Sequence, residues 1–291
     1  TRKALEELVI QEIEADAKAF GDRRRTMIEE SEKAVVETPV IDEPVTVIFS
    51  RNGWVRARQG WGIDSSALSF KEGDGLLALL PCRTVDPVVF LDSLGRAYTV
   101  TAADLPPAWG DGAPASSLVD VQGGAKIMFC VGGKPDTAVL VASTGGYGFL
   151  TKLSDMMSAR KAGREFLTLG EGAVPVAPFV YEAASGNFIA ALSEHGRLLV
   201  FDLGEMRQVS RGRGVTIMGL EEGEKLLAAG VFNGKWLGVA GVGRGGKEKE
   251  LVLSGEKLRY HFGHRARMGR VLPEKLKPTG LRIPGKPRTE G

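Results

Sequence analysis

One signal recurs along the chain with a period near fifty residues, and it constrains the fold more than any other. Ser50-Arg51-Asn52-Gly53, Asp92-Ser93-Leu94-Gly95, Ser143-Thr144-Gly145-Gly146 and Ser193-Glu194-His195-Gly196 each place a Ser or Asp three residues before a glycine. An apolar run precedes each one: Val45–Phe49, Val88–Leu91, Ala138–Val141 and Phe188–Ala191. A second β-capable run follows, such as Trp54-Val55, Tyr98-Thr99-Val100 or Leu198-Leu199-Val200. Two short apolar runs joined by a glycine-bearing turn form a β-hairpin. The glycines are 42, 51 and 50 residues apart, and a further step of 50 reaches Gly246 in a degenerate fifth copy, Gly243-Arg244-Gly245-Gly246.

A second mark keeps step with the first. Gly60-Trp61-Gly62, Gly110-Asp111-Gly112, Lys161-Ala162-Gly163-Arg164, Arg211-Gly212-Arg213-Gly214 and Arg267-Met268-Gly269-Arg270 each follow a hairpin, and their last glycines are spaced 50, 51, 51 and 55. A unit of this length cannot bury both faces of its small sheet alone. Stacked neighbours bury them for one another, which is the logic of propeller-type arrays. The pattern predicts an all-β, propeller-like disc of five blades over 45–272, and leaves open whether the fifth blade closes on the first.

The flanks read differently. Leu5, Leu8, Val9, Ile13, Ala17 and Phe20 share one face of a helix that Gly21 stops. We assign 1–30 to a helical end of an upstream region. Residues 31–44, with Pro39 and Pro44, read as a linker, and 273–291, with Pro278, Pro284 and Pro287, as a flexible basic tail.

Composition narrows the function. Cys82 and Cys130 are the only cysteines of 291 residues, which excludes a disulfide scaffold or a Cys-rich zinc site and fits a reducing compartment. No apolar run is long enough to span a membrane. The overall charge of +2 hides an asymmetry: 1–45 carry a net −5, 46–206 a net −3 and 207–291 a net +10. Clustered Lys and Arg gain free energy by releasing counterions from a polyanion, so the basic end is a candidate phosphate-binding surface.

Several motifs carry no chemistry. Gly241-Val242-Gly243-Arg244-Gly245-Gly246 matches a dinucleotide fingerprint, yet a strand, not a helix, is expected at Glu248–Leu253. His261 and His264 have metal-pair spacing but sit among arginines, where phosphate contact or plain exposure is expected instead. Ser158-Ala159-Arg160-Lys161 lacks the companion motifs of its enzyme class. No metal or cofactor site is assigned. The glycine-and-arginine turns are different, because a Gly-rich backbone lets phosphates approach its N–H groups while flanking Arg adds charge. Arg211-Gly212-Arg213-Gly214 reads as a phosphate turn, and the acidic Gly110-Asp111-Gly112 as a structural one.

The segment Glu14–Arg24, Gly53-Trp54-Val55-Arg56, Pro87–Arg96, Gly146-Tyr147-Gly148-Phe149 and Gln208–Gly214 together resemble the C-terminal region of the ParC-type A subunits of bacterial type IIA topoisomerases, from the first helix to about residue 272. The resemblance implies a five-bladed β-pinwheel, often incompletely closed, whose rim binds and bends duplex DNA. It implies a full enzyme that decatenates and relaxes DNA with a ParE subunit, using ATP and Mg2+ through regions outside this chain, in the cytoplasm and on the chromosome. The family's catalytic Tyr, its neighbouring Arg and its acidic magnesium cluster have no counterpart, so the chain alone is expected not to cleave DNA. The isolated domain is expected to be monomeric. The gyrase Q-R-R-G-G-K-G box is also absent. Its nearest relics are Gln59-Gly60-Trp61-Gly62 and Ser210–Gly214.

The basic residues beside the repeating turns are the expected phosphate contacts: Arg56, Arg58, Lys152, Arg160, Lys161, Arg164, Arg207, Arg211, Arg213, Arg265, Arg267 and Arg270. Two other readings compete. A propeller can serve as a protein-interaction platform without binding DNA, and a central channel can host a small-molecule enzyme, for which no convergent polar set is visible.

Overall fold

The computed structural model describes residues 2–21, 40–108, 110–182, 186–243 and 245–283. The chain divides into two units. The first contains helix α1 (Arg2–Phe20), closed by a bond from the Gly21 N–H to the Ala17 carbonyl (2.9 Å). Leu5, Leu8, Val9, Ile13 and Phe20 are all exposed on it. The expected continuation to residue 30 and most of the linker lie outside the described residues.

The second unit holds nineteen strands in five sheets among its described residues. Each blade begins with a hairpin: β1 (Pro44–Ser50) with β2 (Trp54–Gln59), β4 (Pro87–Asp92) with β5 (Arg96–Thr101), β8 (Ala138–Ser143) with β9 (Tyr147–Lys152), β12 (Phe188–Ser193) with β13 (Arg197–Asp202), and β16 (Trp236–Val242) with β17 (Glu248–Ser254). An inner strand pairs with the first strand of each hairpin: β3 (Leu76–Arg83), β7 (Ile127–Gly132), β11 (Pro175–Tyr181), β15 (Leu226–Phe232) and β19 (Lys277–Arg282).

The Ser or Asp of the repeating turn explains why it recurs. The Gly53, Gly95, Gly146 and Gly196 N–H groups bond back to the carbonyls of Ser50, Asp92, Ser143 and Ser193 at 2.9–3.1 Å. All four glycines have φ of 78–81°, which costs any residue with a Cβ. The side chain at the first position fastens the far side of the turn: Ser50 Oγ accepts from Trp54 N–H (3.0 Å), Asp92 Oδ1 from Arg96 N–H (2.9 Å) and Ser193 Oγ from Arg197 N–H (3.1 Å).

The fourth strand of each complete sheet comes from the next repeat. The two-residue strands β6 (Ala113–Pro114), β10 (Arg164–Glu165), β14 (Val215–Thr216) and β18 (Arg270–Val271) pair with β2, β5, β9 and β13. Each follows directly on the last glycine of the second repeating mark. A Cβ at Gly112 or Gly214 would collide with the carbonyl oxygen of Val55 or Gly148, and at Gly163 it would stand 2.6 Å from the Ala97 oxygen. These glycines therefore let the crossing chain press onto the preceding blade. Among the described residues no blade precedes Gly62, and nothing lies within 4 Å of its Cβ position.

Blade 5 has three strands, in the order β17-β16-β19, so β17 keeps an unpaired edge among the described residues. Its outer residues, Glu248, Lys249 and Glu250, are exposed and charged, a pattern that discourages edge-to-edge association. The cores tell the same story. Four apolar clusters lie between blades 1 and 2, 2 and 3, 3 and 4, and 4 and 5; among the described residues none joins blade 5 to blade 1. The disc is open. Blade 1 covers its own outer face instead, where Phe70 and Lys71 of the segment after β2 lie over Arg56 and Trp54.

One boundary is corrected. The disc extends past 272, because β19 lies within the expected flexible tail and Ile283 is buried in the last core. The prolines of this region hide the strand from a reading of the sequence. Pro278 is accommodated where the β16–β19 register shifts, a place that forgives the missing N–H. Residues 284–291 lie outside the described residues. The fingerprint-like motif begins at Gly241 in β16 and is followed by strand β17, not by a helix, as expected for a degenerate hairpin.

Candidate nucleic-acid interface

In blades 2 to 5 the segment joining the hairpin to its inner strand carries the exchanged strand, and these segments hold nine of the twelve predicted basic residues. Neighbouring segments are hydrogen-bonded to one another around the disc. Asp120 N–H donates to Lys161 O (3.0 Å). Gly212 N–H donates to Phe166 O (2.9 Å), and Thr168 N–H to Gly212 O (3.0 Å). Ala266 N–H donates to Ile217 O (2.9 Å), and Gly219 N–H to Arg267 O (3.0 Å). The turns around Arg160–Arg164, Arg207–Arg213 and Arg265–Arg270, distant in sequence, are thereby placed in one row.

Charge grows along this row. The five segments 60–75, 102–120, 153–170, 203–220 and 255–272 carry net charges of −2, −3, +1, +2 and +4. An anionic ligand is therefore repelled at one end of the row and held at the other.

Lys152, Arg160, Lys161, Arg207, Arg211, Arg213, Arg267 and Arg270 are exposed, and Arg164 and Arg265 are half-buried. Several are already oriented by the protein. The Arg213 guanidinium lies over the Tyr147 ring, that of Arg270 over Tyr260 at 4.5 Å, and Arg265 Nη1 donates to Thr216 O (2.7 Å). A guanidinium held this way loses less rotamer freedom when it meets a phosphate.

Two predicted residues do not join the row. Arg56 is 5 % exposed; it donates to Ser69 O (2.7 Å) and to Gly110 O, and lies over Phe70 at 5.4 Å. It ties the first segment to the second and has no face left for a ligand. Arg58 is exposed but lines a depression with Asp111 at the acidic end. His261, expected at the surface, is 2 % exposed, with Nδ1 3.3 Å from Leu198 O; burial lowers its pKa. His264 instead faces Glu205 at 3.4 Å.

Sequence reasoning missed Arg96 and Arg197. Each directly follows a turn glycine, where the other two repeats have Trp54 and Tyr147. Arg96 reaches the carbonyls of Ala162 (3.0 Å) and Gly163 (3.3 Å), and Arg197 that of Gly269 (3.4 Å), so both clasp the incoming segment. The signal was their fixed place in the repeat. One further cluster joins His195 to Glu221 and Glu224, which lie two and five residues beyond Gly219.

No helix among the described residues is long and apolar enough to cross a membrane. Residues 137–164 and 187–233 match the family described as DNA gyrase C-terminal domain, beta-propeller. The chain is similar to the A subunit of DNA topoisomerase 4 from Neisseria gonorrhoeae, 38 % identical over 274 residues covering 91 % of this chain and 35 % of that protein. It is similar to the corresponding protein of Escherichia coli K12, 35 % identical over 227 residues covering 77 % of this chain and 30 % of that protein. The chain thus spans about a third of the length of these relatives. Among solved structures it is similar to the E. coli ParC C-terminal domain, with a TM-score of 0.70 and 31 % identity over 82 % of this chain and 98 % of that one. The C-terminal domain of a DNA topoisomerase IV shares the fold at a TM-score of 0.66, with 22 % identity over 84 % of this chain and 77 % of that one.

Proposed function

We propose, for a chain that belongs to the ParC C-terminal domain family of bacterial topoisomerase IV A subunits, that the row of crossing segments binds duplex DNA through its phosphates and bends it around the rim. The observation that carries this reading is the backbone-linked succession of turns bearing Arg160, Lys161, Arg164, Arg207, Arg211, Arg213, Arg265, Arg267 and Arg270, with charge rising from +1 to +4 across three neighbouring segments. Contacts of this kind position a duplex without reading its sequence. Bending the DNA along a curved track costs deformation energy, which the added phosphate contacts offset.

The open disc gives the track two unlike ends. The duplex is held most firmly at blades 4 and 5 and leaves past the acidic segment that crosses to blade 1. In the full-length protein this domain presents DNA to the cleavage core for decatenation and relaxation. The partners are a ParE subunit, with its ATP, and the magnesium site of the rest of the chain. We assign this chain no strand cleavage of its own. Three of its four tyrosines have other work: Tyr98 is buried against Asp92, and Tyr147 and Tyr260 lie beneath arginines.

Binding to duplexes of about 20 and about 60 base pairs, titrated between roughly 50 and 200 mM salt, tests this. Sequence-independent binding, tighter to the longer duplex and falling steeply with salt, is expected. Absence of binding to either duplex at low salt would overturn it and favour a protein-interaction platform.

A further inference from the structure

His195, Glu221 and Glu224 converge at the edge of blade 4, and the proposed DNA track does not use them. His195 is the third residue of the blade-4 turn, and Glu221 and Glu224 flank the turn that leads into β15. One potential ligand atom from each lies within 4.8 Å of the others. His195 Nδ1 stands 3.8 Å from Glu224 Oε1.

Glu224 sets this cluster apart from an ordinary acidic surface. Its side chain is fully shielded from solvent, and Oε1 has no hydrogen-bond partner. Oε2 accepts the Glu221 N–H (2.9 Å), which aims the other oxygen at His195. A buried carboxylate oxygen without a partner is costly unless a cation meets it. Glu221 is itself oriented by Arg197, whose Nη2 donates to Oε1 at 2.5 Å.

We propose that these three side chains form a site for a divalent transition metal of the zinc class. One imidazole nitrogen and two carboxylate oxygens are a borderline donor set that suits Zn2+ and its neighbours rather than Ca2+ or Mg2+. Metal–ligand bonds of about 2.0–2.2 Å put tetrahedral ligand atoms roughly 3.4 Å apart. The 3.8 Å separation of His195 Nδ1 from Glu224 Oε1 closes to that with a small side-chain adjustment. The fourth position is left to water. The ion joins the blade-4 turn to the turn before β15. It also neutralises two carboxylates beside the segment that holds Arg267 and Arg270, through the bond between Gly219 and Arg267.

The test is titration of the metal-free 291-residue chain with ZnCl2, and separately with CoCl2, followed by calorimetry, visible absorption and thermal unfolding. One saturable equivalent, d–d bands for Co2+ and a higher Tm are expected. His195→Ala is the informative variant, because the exposed imidazole can be removed without disturbing the core. It should weaken binding by at least the roughly 10–100-fold that even outer-shell partners of a metal contribute. Glu224→Gln should do the same wherever it folds. If the wild type takes up no saturable equivalent, or if His195→Ala binds Zn2+ as tightly as wild type, the proposal is wrong.

Discussion

The guanidinium of Arg213 lies 3.8 Å from the centre of the Tyr147 ring, and this contact joins the fourth crossing segment to blade 3. The two residues carry separable parts of the proposed interface. Replacing Arg211 and Arg213 together with Ala removes two phosphate contacts, so the slope of log K against log salt should flatten by about 1.8. Tyr147→Leu keeps both charges and loses a stack worth about 0.5–1 kcal/mol. It should weaken binding a few-fold at an unchanged slope. An unchanged slope in the folded double variant would take this turn out of the interface.

Arg56 makes the opposite prediction. Its two backbone contacts and the Phe70 stack make it a fastener between the first two segments. Arg56→Ala should lower stability by about 2–4 kcal/mol, the range for breaking a buried charged network. DNA affinity measured well below the lowered Tm should match wild type. A variant that unfolds like wild type but binds DNA poorly would contradict this.

Equivalent glycines should differ in cost. At Gly214, with φ of 77°, a methyl group strains the backbone and strikes the Gly148 carbonyl, so Gly214→Ala should cost roughly 3 kcal/mol or more. Gly62 has a similar φ of 70° with open space around it, so Gly62→Ala should cost only about 1 kcal/mol. Denaturant midpoints for the two variants decide it; equal losses would mean that strand exchange does not set the cost at this position.

His261 supplies a pH dependence. Burial lowers its pKa below the ordinary 6.5, with the nearby Arg270 acting in the same direction. The unfolded chain then binds a proton more readily than the folded one. Stability should therefore fall as pH drops below about 6.5 toward the lowered value, and hold steady above it. His261→Asn should flatten that part of the curve. Parallel acid profiles for wild type and variant would remove His261 as the cause.

Much of this architecture is legible in the sequence because its causes are local. The Ser/Asp-x-x-Gly turns announce the hairpins, since the side chain at the first position and the φ of the glycine are both short-range requirements. The role of Gly112, Gly163 and Gly214 is not legible, because each answers to a backbone some sixty residues earlier. Two-residue strands have no periodicity, so β6, β10, β14 and β18 cannot be seen at all, and Pro278 disguises β19. Among the arginines, sequence could place residues near turns but could not tell the buried Arg56 from the exposed Arg211. That distinction depends on Phe70 and Gly110, which the fold brings to it from two other segments.

Strand exchange also has a consequence in time. The partners Val55 and Ala113, Ala97 and Arg164, Gly148 and Val215, and Leu198 and Arg270 are 58 to 72 residues apart. At a synthesis rate of roughly 5–20 residues per second, each hairpin waits about 3–14 s on the ribosome before its fourth strand exists. Every nascent blade spends that interval with an unsealed edge, and each is sealed by the next one made. Among the described residues blade 5 receives no such seal, so the free side of β17 stays, in the finished disc, as every earlier blade was while it waited.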